Sequence, residues 1–424
     1  RRQRQMCIRD RLTRVSGVWL SRGSGQEHLT AIRSPVLTGA GSCGAFLFLE
    51  DGVPIRPAGC GNVNELFAIN TVQADAIEVV RGPGSVLYGS NAMHGLINVL
   101  SPRIDQTGQR FSLESGSDDF YRARFSVGTW DGRQGFRASG HASHDGGFRE
   151  SSGYDQGKLN LGWRRDTGDR LADIRFSATR LQQETAGFIL GEDAYKSSEA
   201  ARSNPNPEAY RDADSLRLTG LLGRRVGPGL WLETRPYLRY SDMQFLQHFL
   251  PGQPTEKNHQ TSAGALTSVT VEGAGGRFWI FGADAEYTDG HLEETQALPI
   301  EDGSDFLKET RPAGRHYDFN VEALMAAAYA RLEQPLGPAT RLNAGLRYER
   351  IGYDYDNRML DGNTREDGTE CGFGGCLFSR PADRDDSFDA WSPRLGLIHD
   401  LGSRHQVYLA LSRGFRAPQA TELY

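Results

Sequence analysis

From about residue 108 onward the chain is a succession of segments that are apolar at every second residue and polar in between. Successive side chains of a strand point to opposite sides, so each such segment has one apolar and one polar face. In Phe120–Trp130, Tyr121, Ala123, Phe125 and Val127 oppose Arg122, Arg124 and Ser126. In Leu171–Leu181, Ala172, Ile174, Phe176 and Ala178 oppose Asp173, Arg175 and Ser177. The same split separates Trp279, Phe281, Ala283, Ala285 and Tyr287 from Asp284 and Glu286. It also separates Leu342, Ala344, Leu346 and Tyr348 from Arg341, Asn343, Arg347 and Glu349, and Val407, Leu409 and Leu411 from Gln406, Tyr408 and Ser412. About thirteen such segments follow one another, each about 10–13 residues long, whereas soluble strands average about 5–6.

The connections alternate in length. Tight turns are predicted at Asp131-Gly132, Thr167-Gly168-Asp169, Gly227-Pro228-Gly229, Gly273–Gly276, Gly337-Pro338 and Leu401-Gly402-Ser403. Long polar connections are expected at 183–212, 243–259, 289–316 and 353–387. An up-and-down antiparallel sheet places all odd connections at one end and all even ones at the other. Short turns at one end and long loops at the other are the pattern of outer-membrane β-barrels, and tilted strands of this length cross a bilayer. Trp130, Trp163, Trp279, Tyr287, Tyr348 and Tyr408 stand at segment ends, where an interfacial girdle places aromatics. A soluble sandwich or propeller explains the alternation equally well. It explains the strand length and the turn asymmetry less well, and no repeat of blade length is present. Pro236 falls inside one predicted strand and counts against it, because it cannot donate to a ladder.

Composition excludes other classes. The longest apolar run, Ala323–Ala330, is far too short for a spanning helix. The 20 Phe, 15 Tyr and 6 Trp among 424 residues argue against disorder. A net charge of -6 gives no basic surplus for nucleic acid. The 51 glycines follow no G-X-Y period and fit a chain with many turns. Residues 1–11, RRQRQMCIRDR, have neither an apolar core nor a cleavage site, and read as a non-native extension rather than a signal peptide. Of the five cysteines, Cys371 and Cys376 enclose Gly-Phe-Gly-Gly, a loop flexible enough for a disulfide, with free thiols as the alternative; a zinc site would need more partners. Cys43 and Cys60 flank Phe46–Ile55 and form a second candidate pair.

Residues 12–105 are apolar, Gly-rich and irregular, and their most distinctive stretch is Ala76–Pro102. It reads as a strand at Ile77–Val80, Gly-containing turns and a second strand at Leu96–Leu100. Asp51-Gly52-Val53-Pro54, Ile77-Glu78, Arg81-Gly82-Pro83, Leu87-Tyr88-Gly89, Ala92, Gly95 and Ile97-Asn98 fall at fixed spacing that resembles the plug domain of TonB-dependent outer-membrane receptors. Trp391–Gly396 and Ser412–Pro418 resemble barrel elements of that family. The resemblance implies a mainly β protein: a transmembrane antiparallel β-barrel, of about 22 strands in full, around a small α+β plug. It implies a plug over 12–105 and a barrel over 106–424, with a carboxy-terminal part of the barrel missing, so that the chain reads as a fragment.

No catalytic constellation is found: there is no G-x-S-x-G, H-E-x-x-H or C-x-x-C, and no enzymatic activity, cofactor or metal site is expected. Gly39–Gly44 fits G-x-G-x-x-G but is followed by a strand rather than a helix, which fits a glycine turn better than a nucleotide site. His141 and His144 need not share a face. Asp354, Asp356 and Asp361 are a loose acidic group whose glycine is misplaced for an EF-hand. By resemblance, ligand contacts belong to the plug apices at Arg56–Glu65 and Tyr88–His94, with Arg56, Asn62, Asn64, Tyr88, Asn91 and His94 as the polar or aromatic candidates. The implied function is active import of a scarce ligand across the cell outer membrane, energised by the TonB–ExbB–ExbD complex. A ferric siderophore is the default; cobalamin, haem, other metal chelates and glycans are alternatives. A passive porin or surface adhesin is the main rival, and a barrel hydrolase the second.

Overall fold

The computed structural model describes residues 12, 14–22, 25–26, 28–34, 45–59 and 67–424. The expectations for residues 1–11, Gly39–Gly44, Cys43, Cys60, Asn62 and Asn64 fall outside the described residues.

The amino-terminal region holds two small sheets. Strands β1 (Val18–Arg22) and β2 (His28–Ile32) pair antiparallel. Strands β3 (Phe46–Glu50), β4 (Val53–Pro54), β5 (Ala76–Arg81) and β6 (Gly95–Leu100) form a mixed sheet in the order β4-β3-β6-β5. A one-turn helix, α1 (Ser85–Tyr88), lies in the β5–β6 connection. Every residue of β3 is buried, as expected of a central run with no polar face. Phe46, Phe48, Ile55, Ile69, Ile97 and Val99 pack with Val18, Leu20 and Ile32 into one core.

The rest of the chain is a 13-stranded antiparallel sheet in sequential order, from β7 (Gly108–Ser115) to β19 (Gln406–Ser412). Between them run β8 (Tyr121–Trp130), β9 (Gln134–Asp145), β10 (Tyr154–Asp166), β11 (Arg170–Glu184), β12 (Tyr210–Gly227) and β13 (Leu230–Leu246). They are followed by β14 (Thr255–Glu272), β15 (Phe278–Gln296), β16 (Gly314–Pro335), β17 (Thr340–Asn357) and β18 (Arg384–Asp400). The sheet curls around the mixed sheet, which fills its concave side. Each predicted tight turn joins two strands at one end, and the long connections gather at the other.

Strand length departs from expectation: β16 has 22 residues and β15 has 19. The sequence assigns the surplus to loops because the polarity of long strands such as β11 and β17 inverts along their length. On β11 the outward positions are Ala172, Ile174, Phe176 and Ala178, and then Arg180, Gln182 and Glu184. The inward positions are Asp173, Arg175, Ser177 and Thr179, and then Leu181. Strand β17 repeats the inversion: Leu342, Ala344, Leu346 and Tyr348 face outward before Arg350, Asp354 and Asp356 take over, while Ile351, Tyr353 and Tyr355 turn inward. The apolar outward stretch suits lipid; beyond it the wall stands in water. Trp279 and the outward Tyr287 bracket that stretch on β15, about 27 Å apart along the strand at ~3.4 Å per residue.

Pro236 stays inside β13, paired with Ala265 on β14. The ladder to β12 skips it, running from Thr219–Tyr237 to Leu222–Thr234. Gly220 makes room for its ring: a Cβ there would sit 3.1 Å from Pro236 Cγ.

The outward Leu218, 43% exposed, lies within the apolar stretch, whereas Asp242 lies beyond it. Leu218→Arg should cost about 2–4 kcal/mol of barrel stability and Asp242→Arg close to none. Urea titration of the full-length receptor refolded into vesicles checks both.

Candidate ligand face and plug seam

The plug meets the barrel wall through polar groups and through one apolar patch, where Phe67 and Ala68 pack against Tyr154, Leu181, Met243 and Phe245. Arg217 on β12 pairs with Glu50 at the end of β3, and both are buried. Arg217 also donates to the Ala68 carbonyl at 3.2 Å. Arg239 on β13 donates to the carbonyls of Pro54 (2.7 Å) and Arg56 (2.9 Å) and pairs with Glu286 on β15. Glu286 accepts the Ala58 N–H at 3.0 Å and the Tyr237 hydroxyl. Arg235 donates to the Asp51 carbonyl at 2.7 Å, Lys158 to that of Ile69, and Asn70 to Asn160 at 2.8 Å.

A second anchor holds the turn after α1. Arg347 on β17, 2% exposed, joins Asp284 (2.6 Å) and Glu349 (2.8 Å). Glu349 in turn accepts the Ser90 N–H at 3.0 Å. The glycine of Leu87-Tyr88-Gly89 has a physical reason: its φ is +72°, and a Cβ there would lie 2.2 Å from Glu349 Oε2.

Four of the predicted ligand residues lie among the described residues. Arg56 is 3% exposed and its guanidinium turns back to the Phe46 carbonyl at 3.0 Å, over the Phe46 ring. Asn91 is 1% exposed and holds a positive φ of 70°. Tyr88 is half-buried; burial first, then the Glu78 carboxylate, pushes its phenol above the ordinary value. His94 is half-buried in the turn before β6, where its N–H donates to the Ala45 carbonyl at 2.9 Å. Arg56, Tyr88 and Asn91 line one small cavity of about 40 Å³ between the plug and the wall, which His94 does not line. His141 points inward and is buried while His144 is exposed, so the two occupy opposite faces of β9. Asp354 and Asp356 face outward on β17, and Asp361 accepts from Asn357 at 2.9 Å in the following loop.

Beside the plug lies a largely buried aromatic cluster, which the sequence reading missed. Tyr353, Tyr355, Phe319 and Tyr424 cluster on the inner wall, with Tyr355 and Tyr424 stacked at 4.2 Å. The signal was present in Tyr353-x-Tyr355, read as part of a polar loop. Residues 413–424 leave the sheet after β19 and cross the plug, so Ser412–Pro418 is only in part a barrel strand. The N–H of Ala417 donates to Ser90 Oγ (3.1 Å), and that of Ala420 to the Gly59 carbonyl (2.9 Å). Pro418 has no N–H to offer a ladder, and its carbonyl takes the Tyr353 hydroxyl at 2.8 Å.

The connection 358–383 is built around Arg380, 1% exposed, which donates to the carbonyls of Leu360 (2.7 Å), His316 (3.0 Å) and Thr364 (2.7 Å). Cys371 and Cys376 are joined by a disulfide in this loop. Leu377 N–H reaches the Thr310 carbonyl of the neighbouring loop at 2.9 Å. Arg380→Ala removes the donor to three loop carbonyls, that of His316 buried, and should loosen this loop by about 1–3 kcal/mol. Chymotrypsin should then cut within 358–383 in the variant while the membrane-embedded strands stay protected; an unchanged digest would remove Arg380 from this role.

Two family profiles match the chain. The TonB-dependent Receptor Plug Domain covers residues 1–96, and the TonB dependent receptor-like beta-barrel covers residues 104–424. The vitamin B12 transporter BtuB of Vibrio vulnificus (strain CMCP6) is 34% identical over 147 residues, which is 34% of this chain and 22% of that protein. Among solved structures, the ferric citrate transporter FecA in its unliganded form superposes with a TM-score of 0.76 at 16% identity, covering 98% of this chain and 61% of that one. The copper transporter OprC gives 0.73 at 15% identity, with the same coverages of 98% and 61%. The ferric yersiniabactin uptake receptor FyuA of Yersinia pestis gives 0.69 at 15% identity, covering 94% and 60%. The chain thus spans about 61% of the length of the first solved structures it matches. With the barrel profile matched along the whole curled sheet and the plug profile along the region inside it, the chain belongs to the TonB-dependent receptors, a family of outer-membrane β-barrels.

Proposed function

We propose that the protein is an outer-membrane receptor that actively imports a scarce ligand, with a ferric siderophore or similar metal chelate as the leading class. The observation that carries this reading is the seam between plug and wall. It is made largely of ion pairs and hydrogen bonds to backbone carbonyls, such as Glu50–Arg217 and Arg239 to Pro54 and Arg56, with an apolar patch where Phe67 and Ala68 meet the wall. Water can take over each of these polar bonds when the plug shifts, so the hydrophobic cost of parting the seam falls mainly on the patch around Phe67 and Ala68. The outer membrane offers no nucleotide and no ion gradient of its own. The pull is therefore assigned to the TonB–ExbB–ExbD complex acting on the plug.

Ligand contact is assigned to the plug candidates Arg56, Asn62, Asn64, Tyr88, Asn91 and His94, of which Arg56, Tyr88 and Asn91 share one small cavity. Relatives named for ferric citrate, ferric yersiniabactin, copper and vitamin B12 support a metal-bearing ligand. A passive porin fits less well, because the folded plug occupies the lumen.

Cells carrying the full-length gene should grow under iron limitation on a supplied siderophore and lose that growth when tonB is deleted. Growth that persists without TonB would favour a pore. Glu50→Ala leaves Arg217 buried and unpaired, which should weaken plug seating by about 3–5 kcal/mol. Glu50→Arg combined with Arg217→Glu should recover part of the loss. Urea-dependent protease cleavage of the plug in the full-length receptor reads both.

A further inference from the structure

The lipid-facing side of the wall is not uniformly smooth. Near its short-turn end a groove of about 460 Å³ runs across β8–β12. Its outward lining is mainly apolar and includes Phe136, Ala138, Leu161, Trp163, Phe176 and Leu218. The strand registers set these side chains in two adjoining rows. Phe136 stands opposite Trp163 in one, and Ala138, Leu161, Phe176 and Leu218 follow one another across the next. Ala138 is the small member of its row, between Val127 and Leu161, and lowers the floor there.

Toward the turns the outward positions become basic. Arg165 follows Trp163 on the same face of β10, about 7 Å further along the strand. Arg170 on β11 and Arg224 on β12 come next and stand directly opposite each other. All three are exposed, and none has a hydrogen-bond or ion-pair partner for its side chain among the described residues. The carboxylates of this rim are committed elsewhere. Asp166 pairs with Arg164 at 2.9 Å and Asp169 with Arg225 at 3.0 Å. Asp131 accepts the backbone N–H groups of Arg133 (2.9 Å) and Gln134 (2.8 Å). Like charges directly opposite on neighbouring strands destabilise the pair, and no carboxylate here offsets the repulsion between Arg170 and Arg224. An anion set between the two removes it.

We propose that this patch binds an anionic diacyl phospholipid of the periplasmic leaflet, its phosphate held by Arg165, Arg170 and Arg224 and one acyl chain laid in the groove. The order of groups along the wall is the order of groups along such a lipid. The apolar groove lies within the lipid-facing stretch, Trp163 stands where indole rings settle at an interface, and the guanidiniums follow at headgroup depth. Arginine forks hold phosphate oxygens in pairs of charge-assisted hydrogen bonds. Long stems let such charges reach the headgroups while the base of the side chain stays against apolar wall, and arginine costs little at this depth of a barrel. Short turns face the periplasm in outer-membrane barrels, which fixes the leaflet. The patch lies on the outer surface of paired strands, so the proposal is independent of the cargo and of how its import is energised.

The test is native mass spectrometry of the full-length receptor in detergent, titrated separately with phosphatidylglycerol, phosphatidylethanolamine and inorganic phosphate. Phosphatidylglycerol is expected to bind at least about tenfold more tightly than phosphatidylethanolamine, equal to ~1.4 kcal/mol. Arg170→Glu with Arg224→Glu should remove that preference and leave phosphatidylethanolamine binding unchanged. Ala138→Trp fills the groove without touching a charge and should weaken both lipids. Arg180→Glu, outward at the far end of β11, should alter neither. Thermal melting guards against a folding defect. Arg224→Gln ends the like-charge pair, so in lipid-free detergent it should melt no lower than the wild type, and added phosphatidylglycerol should raise its melting temperature less. If the double variant fails to fold, Arg224→Gln decides. Equal binding of the two lipids by the wild type, or a preference undiminished in Arg224→Gln, would overturn the proposal. Inorganic phosphate bound as tightly as phosphatidylglycerol would reduce the site to a bare anion patch and overturn the lipid assignment.

Discussion

Hydrocarbon offers a peptide group nothing to bond to, so each backbone N–H and C=O of a membrane wall must find its partner inside the protein. Everything else in this chain follows from that demand. It excludes irregular backbone from the lipid-facing region and leaves sequential antiparallel pairing, here in 13 strands. Pairing fixes the alternation of faces, and alternation puts charged side chains such as Arg217, Asp284 and Arg347 on the concave side. Those charges then need company, which the plug supplies through Glu50, Ser90 and the carbonyls of Pro54, Arg56 and Ala68.

A seam of this kind is a compromise between holding and letting go. An apolar interface of the same size would hold the plug more firmly and resist parting. Buried ion pairs contribute little net stability because each charge loses its hydration, yet removing one partner is costly. The plug is therefore fixed in place and register by partners it cannot do without, while its separation returns those partners to water.

The sequence shows the wall better than it shows the site. Alternation in Phe120–Trp130 and Arg341–Arg350 marks lipid against lumen because the two environments differ most there. Past Tyr348 the contrast reverses, with Arg350 and Asp354 outward and Tyr353 and Tyr355 inward. A reader expecting one greasy outer face therefore takes the upper strand for a loop. Pro236 looks like a break because the space that Gly220 leaves for it lies on another strand. Arg56 reads as an exposed apical base, but its acceptor, the Phe46 carbonyl, is set by the fold of the plug and by no local pattern. Asn91 likewise sits where the turn demands a left-handed conformation, which asparagine tolerates. Motif spacing located the turn but not the direction in which its side chains point.

The reversal of polarity along β16 has a mechanical consequence. A strand needs about 9–11 residues to cross the bilayer, and β16 has 22. The surplus raises a stiff, hydrogen-bonded collar above the headgroups, and the loops built on Arg380 and the Cys371–Cys376 bridge stand on its rim. Sequence drift in those loops changes what the receptor meets in the medium without disturbing how it is seated in lipid. Loops and anchorage can thus evolve as separate modules on one continuous ribbon.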